Sequence, residues 1–138
     1  MPLTECEIAN IVFNETRSLS GPGIQDARVY IAYALMNADG PRRPRSGPST
    51  ARVPASERLT HHLCLDAAAT ARRQREEPNA TDPTSGATHF NFRMNALTGP
   101  FFGQTLRTQV GPLINSYPTP ALPANGVYAN TYGPPRKT

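Results

Sequence analysis

The first segment of the chain repeats apolar residues with the period of an α-helix. Thr4 is followed three residues later by Glu7, a capping-box pattern in which each side chain bonds a free backbone amide, so a helix is predicted to begin here. An apolar stripe at positions i, i+3 and i+4 follows, formed by Ile8, Ile11 and Val12. The next position on that face is Glu15, so the pattern predicts a carboxylate at the end of an apolar surface.

This position suggests a chemical role for Glu15. Burial against an apolar surface disfavours the charged form of a carboxylic acid, and a protonated carboxyl can donate its proton to a leaving oxygen. A structural interpretation is also open, in which Glu15 lies at a frayed helix end, exposed to solvent or paired with Arg17 or Arg28. The sequence therefore makes Glu15 the candidate catalytic acid without excluding the structural alternative.

A second helix is predicted over residues 24–37, after a loop of turn-forming residues at 18–23. Its apolar residues occupy most sides, which is typical of a central helix. The first helix is expected to be its best partner, and because the connection is short we expect the two to pack as an antiparallel hairpin. A third helix is expected to begin near Ser56 and to stop at Pro78.

The remaining segments predict loops and a small amount of strand. Residues 38–55 are rich in Arg and Pro and predict an exposed loop, and residues 133–138 predict a loose tail. In the segment 87–92 the alternation turns Thr88, Phe90 and Phe92 one way and His89 and Asn91 the other. Two more short strands are expected in the last third of the chain. The predicted fold is a single α+β domain over 1–138, mainly α, with a small antiparallel β element.

Charge and composition narrow the range of partners. Lys and Arg number 14 against 10 Asp and Glu, giving a net charge of +4, which favours an anionic partner. Nucleic acid is not expected, because the basic residues come without an aromatic platform or a recognition motif. No stretch approaches the roughly 20 apolar residues of a membrane span. No signal peptide is visible, so we expect synthesis in the cytoplasm.

Two separated segments resemble one known family. Glu15 after a short apolar helix, a Gly-containing loop and an Ala-rich helix ending in Leu35-Met36-Asn37 resembles the opening of the SleB-type cell-wall hydrolases, the spore-cortex-lytic family. Asp82-Pro83-Thr84-Ser85-Gly86-Ala87-Thr88-His89-Phe90-Asn91 resembles a later loop of that family. Together they cover the chain to about residue 95. The sequence departs from the family after the glutamate, where Thr16-Arg17-Ser18-Leu19 replaces the usual Ala-Arg-Gly-Glu.

The resemblance implies a lysozyme-like fold and cleavage of the glycan strand of peptidoglycan. Glu15 would act as acid and then as base, in a lytic transglycosylase or a muramidase that needs no second carboxylate. The residues implied to bind the sugar are Thr88, His89, Phe90, Asn91 and Tyr128. No cofactor and no metal are expected, since the adjacent His61 and His62 point about 100° apart on a helix and cannot chelate one ion well. The protein would act on the cell wall after delivery by another route, with a delivery or immunity protein as a further expected partner.

Two other functions remain open. Cys6 lies in the first turn of a helix, where the dipole favours a thiolate, and with His89 as base it would make a cysteine-dependent amidase or endopeptidase acting on peptidoglycan. Glu5 and Glu7 flank Cys6 and oppose this role. The chain could also be a non-catalytic wall-binding module. Two cysteines, Cys6 and Cys64, permit one disulfide at most.

Overall fold

A computed structural model describes residues 3–38, 53–96, 101 and 103–134 of the chain. Within these ranges, three α-helices lie beside a four-stranded antiparallel sheet, and α2 is the helix that contacts three of the four strands most closely. The helices are α1 (Glu5–Thr16), α2 (Ile24–Asn37) and α3 (Arg58–Glu76), and a 3-10 turn at Ala55–Glu57 precedes α3. Most of the loop predicted at 38–55 and of the tail predicted at 133–138 lies outside the described residues.

The capping box at the start of α1 is confirmed. The backbone amide of Glu7 donates to Thr4 Oγ1 at 3.1 Å, and the amide of Thr4 donates to Glu7 Oε1 at 3.0 Å. The predicted stripe is buried, with exposures of 0–1 % at Ile8, Ile11 and Val12. The sequence therefore located both the start of this helix and the face that it buries.

The helices α1 and α2 both pack against α3. The bounds predicted for α2 are confirmed, but the expectation that α1 is the best partner of α2 is wrong, since α3 contacts α2 far more extensively. The reason is the small size of the residues that α3 buries, which are Cys64, Ala67, Ala68 and Ala71. Small side chains let the axes of neighbouring helices approach closely, so one helix can serve two partners.

The sheet is formed by four antiparallel strands in the order β1-β3-β4-β2. The strands are β1 (Leu19–Ser20), β2 (His89–Arg93), β3 (Thr105–Asn115) and β4 (Asn125–Gly133). β4 lies inside the sheet, so its residues have neighbours on both sides. Asn130 is opposite Asn91 of β2 and opposite Gln109 of β3.

The prediction of a mainly α, lysozyme-like fold is wrong. The chain is α+β, with a curled four-stranded sheet that forms a second large part of the molecule. Gly111 and Pro112 lie within β3 and favoured a shorter strand in the sequence. β3 accommodates them with a shift of register against β4 between Val110 and Leu113. Two further shifts lie between Leu106 and Thr108 and between Leu113 and Ile114. The strand β1 was also missed, inside the segment predicted as a loop at 18–23.

Two hydrophobic clusters join the helices to the sheet. The first contains the buried faces of α1, α2 and α3, with Phe90 of β2 packed against it. The second lies between α2 and the sheet and is formed by Leu19, Ala27, Leu113, Val127 and Ala129. Phe92 packs against both clusters. The apolar face of the sheet is thus covered, and its other face carries the polar side chains described below.

Candidate functional site

Glu15 lies in the last turn of α1 and is half-buried, between the exposed Asn14 and the buried Thr16. Two hydrogen bonds fix this turn. The Thr16 hydroxyl donates to the carbonyl of Val12 at 2.7 Å, and Nε of Arg28 donates to the same hydroxyl oxygen at 3.2 Å. Thr16 is fully buried, so the backbone that carries Glu15 is attached to the interior immediately on its C-terminal side.

The two arginines that the sequence offered as partners of Glu15 have acceptors other than Glu15. Arg17 bonds the carboxylate of Glu57 with Nε at 2.8 Å, which ties the end of α1 to the start of α3. Arg28 donates to Gln25 as well as to Thr16. Burial lowers the pKa of the Arg28 guanidinium, although the nearby Cys64 opposes this. A buried cation near the carboxyl end of α1 is also favoured by the helix dipole.

Three other carboxylates have contacts that give them structural roles. Glu7 completes the cap of α1, and Glu57 pairs with Arg17. Asp82 accepts bonds from the amide and hydroxyl of Thr84 at 2.7 and 2.6 Å and from the side chain of Asn37 at 2.9 Å. Glu15 differs from these three in its position, because it stands where the buried stripe of α1 reaches the surface.

Asp82 organises the loop that precedes β2. Besides Thr84 and Asn37, the amide of Gly86 donates to it at 3.0 Å. Burial raises the pKa of this carboxyl, but the four hydrogen bonds outweigh burial and the net shift is downward. The bond from Asn37 joins the loop to the end of α2. Asp82 thereby fixes the segment that leads into β2.

The alternation predicted for β2 is reproduced by its contacts. Phe90 and Phe92 pack against the helical cluster, with their ring centroids 6.2 Å apart. On the other face, Asn91 lies opposite Asn130 and Arg93 lies opposite Tyr128. Of the predicted sugar-binding residues, the sheet therefore gathers His89, Asn91 and Tyr128 on one face and leaves Phe90 on the core side. Thr88 bonds His89 Nδ1 at 2.8 Å just before the strand.

A row of amides crosses three strands on this polar face. Gln109 Nε2 donates to Asn130 Oδ1 at 3.0 Å, and Asn130 Nδ2 donates to Asn91 Oδ1 at 3.1 Å. The Tyr132 hydroxyl donates to the same Asn91 oxygen at 3.2 Å. Asn130 is fully buried and Tyr132 is 2 % exposed. The row is therefore an ordered polar network that holds the side chain of Asn91 in one orientation.

Asn91 also lines a surface cavity of about 410 Å³. The other lining residues are Phe92, Arg93, Met94, Asn95 and Ala121. A second cavity, of about 170 Å³, lies beside Ile8 in the first half of α1, Leu35 and Met36 near the end of α2, and Arg75 near the end of α3. Neither of these two cavities has Glu15 among its lining residues. The cavity at β2 is therefore a feature separate from the end of α1.

The two cysteines are free and lie in different environments. Cys6 is exposed in the first turn of α1, and Cys64 is buried in α3, with its sulfur 4.0 Å from the Thr16 hydroxyl. Burial raises the pKa of the Cys64 thiol, while Arg28 and Thr16 lower it in part. The pairing of Cys6 with His89 as nucleophile and base stays a prediction, and the Nδ1 atom of His89 bonds the Thr88 hydroxyl.

Sequence reasoning offered Tyr132, beside Tyr128, for the floor of the cleft, but it missed Asn130 and Gln109, which organise the polar face with it. Asn130, Tyr132 and Gln109 lie on strands, and the alternation of residues 127–132 already places Tyr128, Asn130 and Tyr132 on one side. That alternation was a usable signal. The partner strands were not predictable from it, because the register of β3 depends on shifts that follow from its Gly and Pro. Arg28 was considered only as a partner of Glu15.

Comparison with known proteins leaves the family unassigned. No protein-family model matches the chain, and neither the curated proteins nor the solved structures give a significant match. In the described ranges no group of three or more His, Cys, Asp or Glu side chains could hold a metal ion. Within the same ranges, none of the helices has the length and apolar character needed to cross a membrane.

Proposed function

We propose that the protein cleaves the glycan strand of peptidoglycan, with Glu15 as its catalytic acid. The observation that carries the proposal is the position of Glu15, half-buried in the last turn of α1, where the stripe of Ile8, Ile11 and Val12 ends. The resemblance of two segments to the SleB-type hydrolases supports the same residue and the same substrate. The basic charge of the chain suits the carboxylates of the wall.

The chemistry assigned to Glu15 needs one carboxyl group that acts twice. Protonated Glu15 donates its proton to the glycosidic oxygen as the bond from that oxygen to the anomeric carbon breaks, which leaves an oxocarbenium-like sugar. The resulting carboxylate then accepts a proton from the group that attacks the sugar. If this group is a hydroxyl of the same sugar, the product is an anhydro-sugar, and if it is water, the product is a reducing end.

For this role, the backbone that carries Glu15 has to be held in one position. The Arg28 bond to Thr16 and the ion pair of Arg17 with Glu57 hold the last turn of α1 against α2 and α3. A catalytic group whose backbone is fixed in this way loses little freedom when the substrate binds. These contacts support the proposal, because they attach the end of α1 to α2 and to the start of α3.

The test is mass spectrometry of purified peptidoglycan digested with the wild type and with Glu15→Gln. We expect the variant to lose cleavage by about 10²- to 10⁴-fold, the usual contribution of a general acid. Glu5→Gln is the matched control, since it makes the same change at the opposite end of α1 and is expected to retain activity. Intact glycan after digestion with the wild type, or equal cleavage by wild type and Glu15→Gln, would contradict the proposal.

A further inference from the structure

The cavity at the edge of the sheet is lined by hydrogen-bond donors and apolar surface. Asn91 and Arg93 are two residues apart on β2, so their side chains leave the same face of the sheet about 7 Å apart along the strand. Both line the cavity of about 410 Å³, together with Phe92, Met94, Asn95 and Ala121. A cavity of this size is large enough for a small acyl group or the end of a peptide.

The hydrogen bonds of the amide row occupy one of the two polar atoms of the Asn91 side chain and leave the other available to a ligand. Its Oδ1 accepts bonds from both Asn130 and Tyr132, which are buried. Among the residues that the structure describes, no acceptor is bonded to Asn91 Nδ2. The Nδ2 end of the amide is therefore the end left for a ligand, and the row that holds the oxygen side prevents the amide from turning over, since a flipped amide would set N–H against N–H.

Arg93 adds a positive charge to the same cavity. Its guanidinium carbon lies 5.8 Å from the ring centroid of Phe101, a cation–π distance that limits the positions of the side chain. In the described ranges no Asp or Glu is within ion-pair distance of Arg93. The charge is thus not neutralised by a described carboxylate, and a planar guanidinium is well suited to a carboxylate ligand.

We propose that this cavity is a binding subsite for a carboxylate whose neighbouring carbon carries a methyl group. Arg93 bonds the carboxylate, Asn91 Nδ2 donates to a neighbouring carbonyl oxygen, and Met94 and Ala121 contact the methyl group. This proposal rests on the proposed function, because peptidoglycan supplies such a group from two sources. One source is the lactyl ether of muramic acid without its peptide, and the other is the D-alanine end of the stem peptide.

The experiment is an NMR titration on the Glu15→Gln background, so that no ligand is cleaved. The probes are a disaccharide with a free lactyl carboxylate, a stem tetrapeptide with a free terminal carboxylate, and the same tetrapeptide amidated at its terminus. We expect one of the two acids to bind with shifts at Asn91 and Arg93, and where that acid is the tetrapeptide we expect its amidated form to bind about tenfold more weakly. Which acid binds identifies the source.

Substitutions in the cavity complete the test. Arg93→Gln is expected to weaken binding of the acid about tenfold and to leave binding of the amidated peptide unchanged. Asn91→Ala is expected to weaken both, and Arg73→Gln, which removes an exposed charge from α3, is the control and is expected to weaken neither. Arg93 is exposed, so its substitution does not threaten folding, which a thermal melt of each variant checks.

Three results would overturn the subsite: no binding of either acid at millimolar concentration, equal binding by Arg93→Gln and the parent, or equally tight binding of inorganic phosphate at the same residues. These results are independent of Glu15. Digestion of peptidoglycan by the wild type reports on the proposed function alone, so a failure of cleavage with normal binding, or the reverse, shows which of the two proposals is wrong.

Discussion

Arg28 donates from Nε to the hydroxyl oxygen of Thr16 over 3.2 Å, so that a buried cation holds the residue next to Glu15. The same hydroxyl donates to the carbonyl of Val12. One small side chain thus satisfies a donor on α2 and an acceptor on α1. This arrangement makes the end of α1 sensitive to a substitution that alters neither charge nor volume.

The first prediction follows from this bond. Thr16→Val keeps the shape but removes the acceptor of Arg28, leaving a buried N–H without its partner, and we expect it to cost about 1–3 kcal/mol of unfolding free energy. Thr70→Val, on the half-buried part of α3, is the control and is expected to change stability by less than about 0.5 kcal/mol. Urea denaturation measures both, and equal stability of the two variants would argue against a structural role for the bond.

The lowered pKa of Asp82 predicts that the stability of the protein depends on pH. Its hydrogen bonds lower its pKa in the folded protein, so its contribution is complete above the unfolded pKa of about 3.9 and is lost as pH falls through the folded value. Asp82→Asn is expected to cost about 1–2 kcal/mol at pH 7, allowing for partial exposure, and the gap from wild type should shrink below about pH 4. Denaturation at several pH values tests this.

A matched control for Asp82 is available at the end of α3. Glu77→Gln removes an exposed carboxylate with the same change of charge, and it should alter stability by less than about 0.5 kcal/mol at pH 7. If the gap between wild type and Asp82→Asn is the same at pH 3 as at pH 7, then the carboxylate does not stabilise the loop through its charge.

Gly111 is expected to be intolerant of any side chain. A Cβ atom there would lie 2.8 Å from the carbonyl oxygen of Val127 and 2.7 Å from the ring of Tyr128. Gly111→Ala is therefore predicted to cost about 1–3 kcal/mol by overpacking, in addition to backbone strain. Gly103→Ala meets no atom within 4 Å at a positive φ of 76°, so it carries strain alone and should be milder. Thermal melts of both variants test this prediction. Equal losses of stability would mean that the close approach of Gly111 to Val127 and Tyr128 of β4 is unimportant.

The two thiols should differ in reactivity. Cys6 is exposed, whereas burial raises the pKa of Cys64 and removes it from solvent. A thiol reagent at pH 8 is expected to modify one cysteine quickly in the native protein and the second only on unfolding. Cys6→Ala is expected to abolish the fast reaction. If alkylation of Cys6 also stops cleavage of stem peptides, the result would support the amidase hypothesis and would count against the proposal for Glu15.

Local signals predicted the helices well. The cap formed by Thr4 and Glu7 and the bounds of α2 depend on neighbours within one turn, and these neighbours are visible in the sequence. The partner of each helix was predicted less well. α3 contacts both other helices because Ala67, Ala68 and Ala71 are small, and this property becomes informative only when three helices are considered together.

The sheet and the candidate subsite were less predictable because they depend on distant pairings. Asn91 was selected from the alternation of its own strand, but its orientation is determined by Asn130 and Tyr132, about forty residues further along the chain. The strand β3, which brings Gln109 into the same row, has three irregular shifts of register against β4. Such relationships leave no periodic pattern in a single sequence.

The strand order β1-β3-β4-β2 also determines when the chain can complete its fold during synthesis. β4 lies between β3 and β2, so β2 has no partner in the sheet until residues 125–133 have been made. The three helices, in contrast, are complete by Glu76 and can pack first. A ribosome-bound chain that ends before Asn125 would leave β2, with Phe90 and Phe92, as an unpaired strand, and unpaired strand edges of this kind favour aggregation.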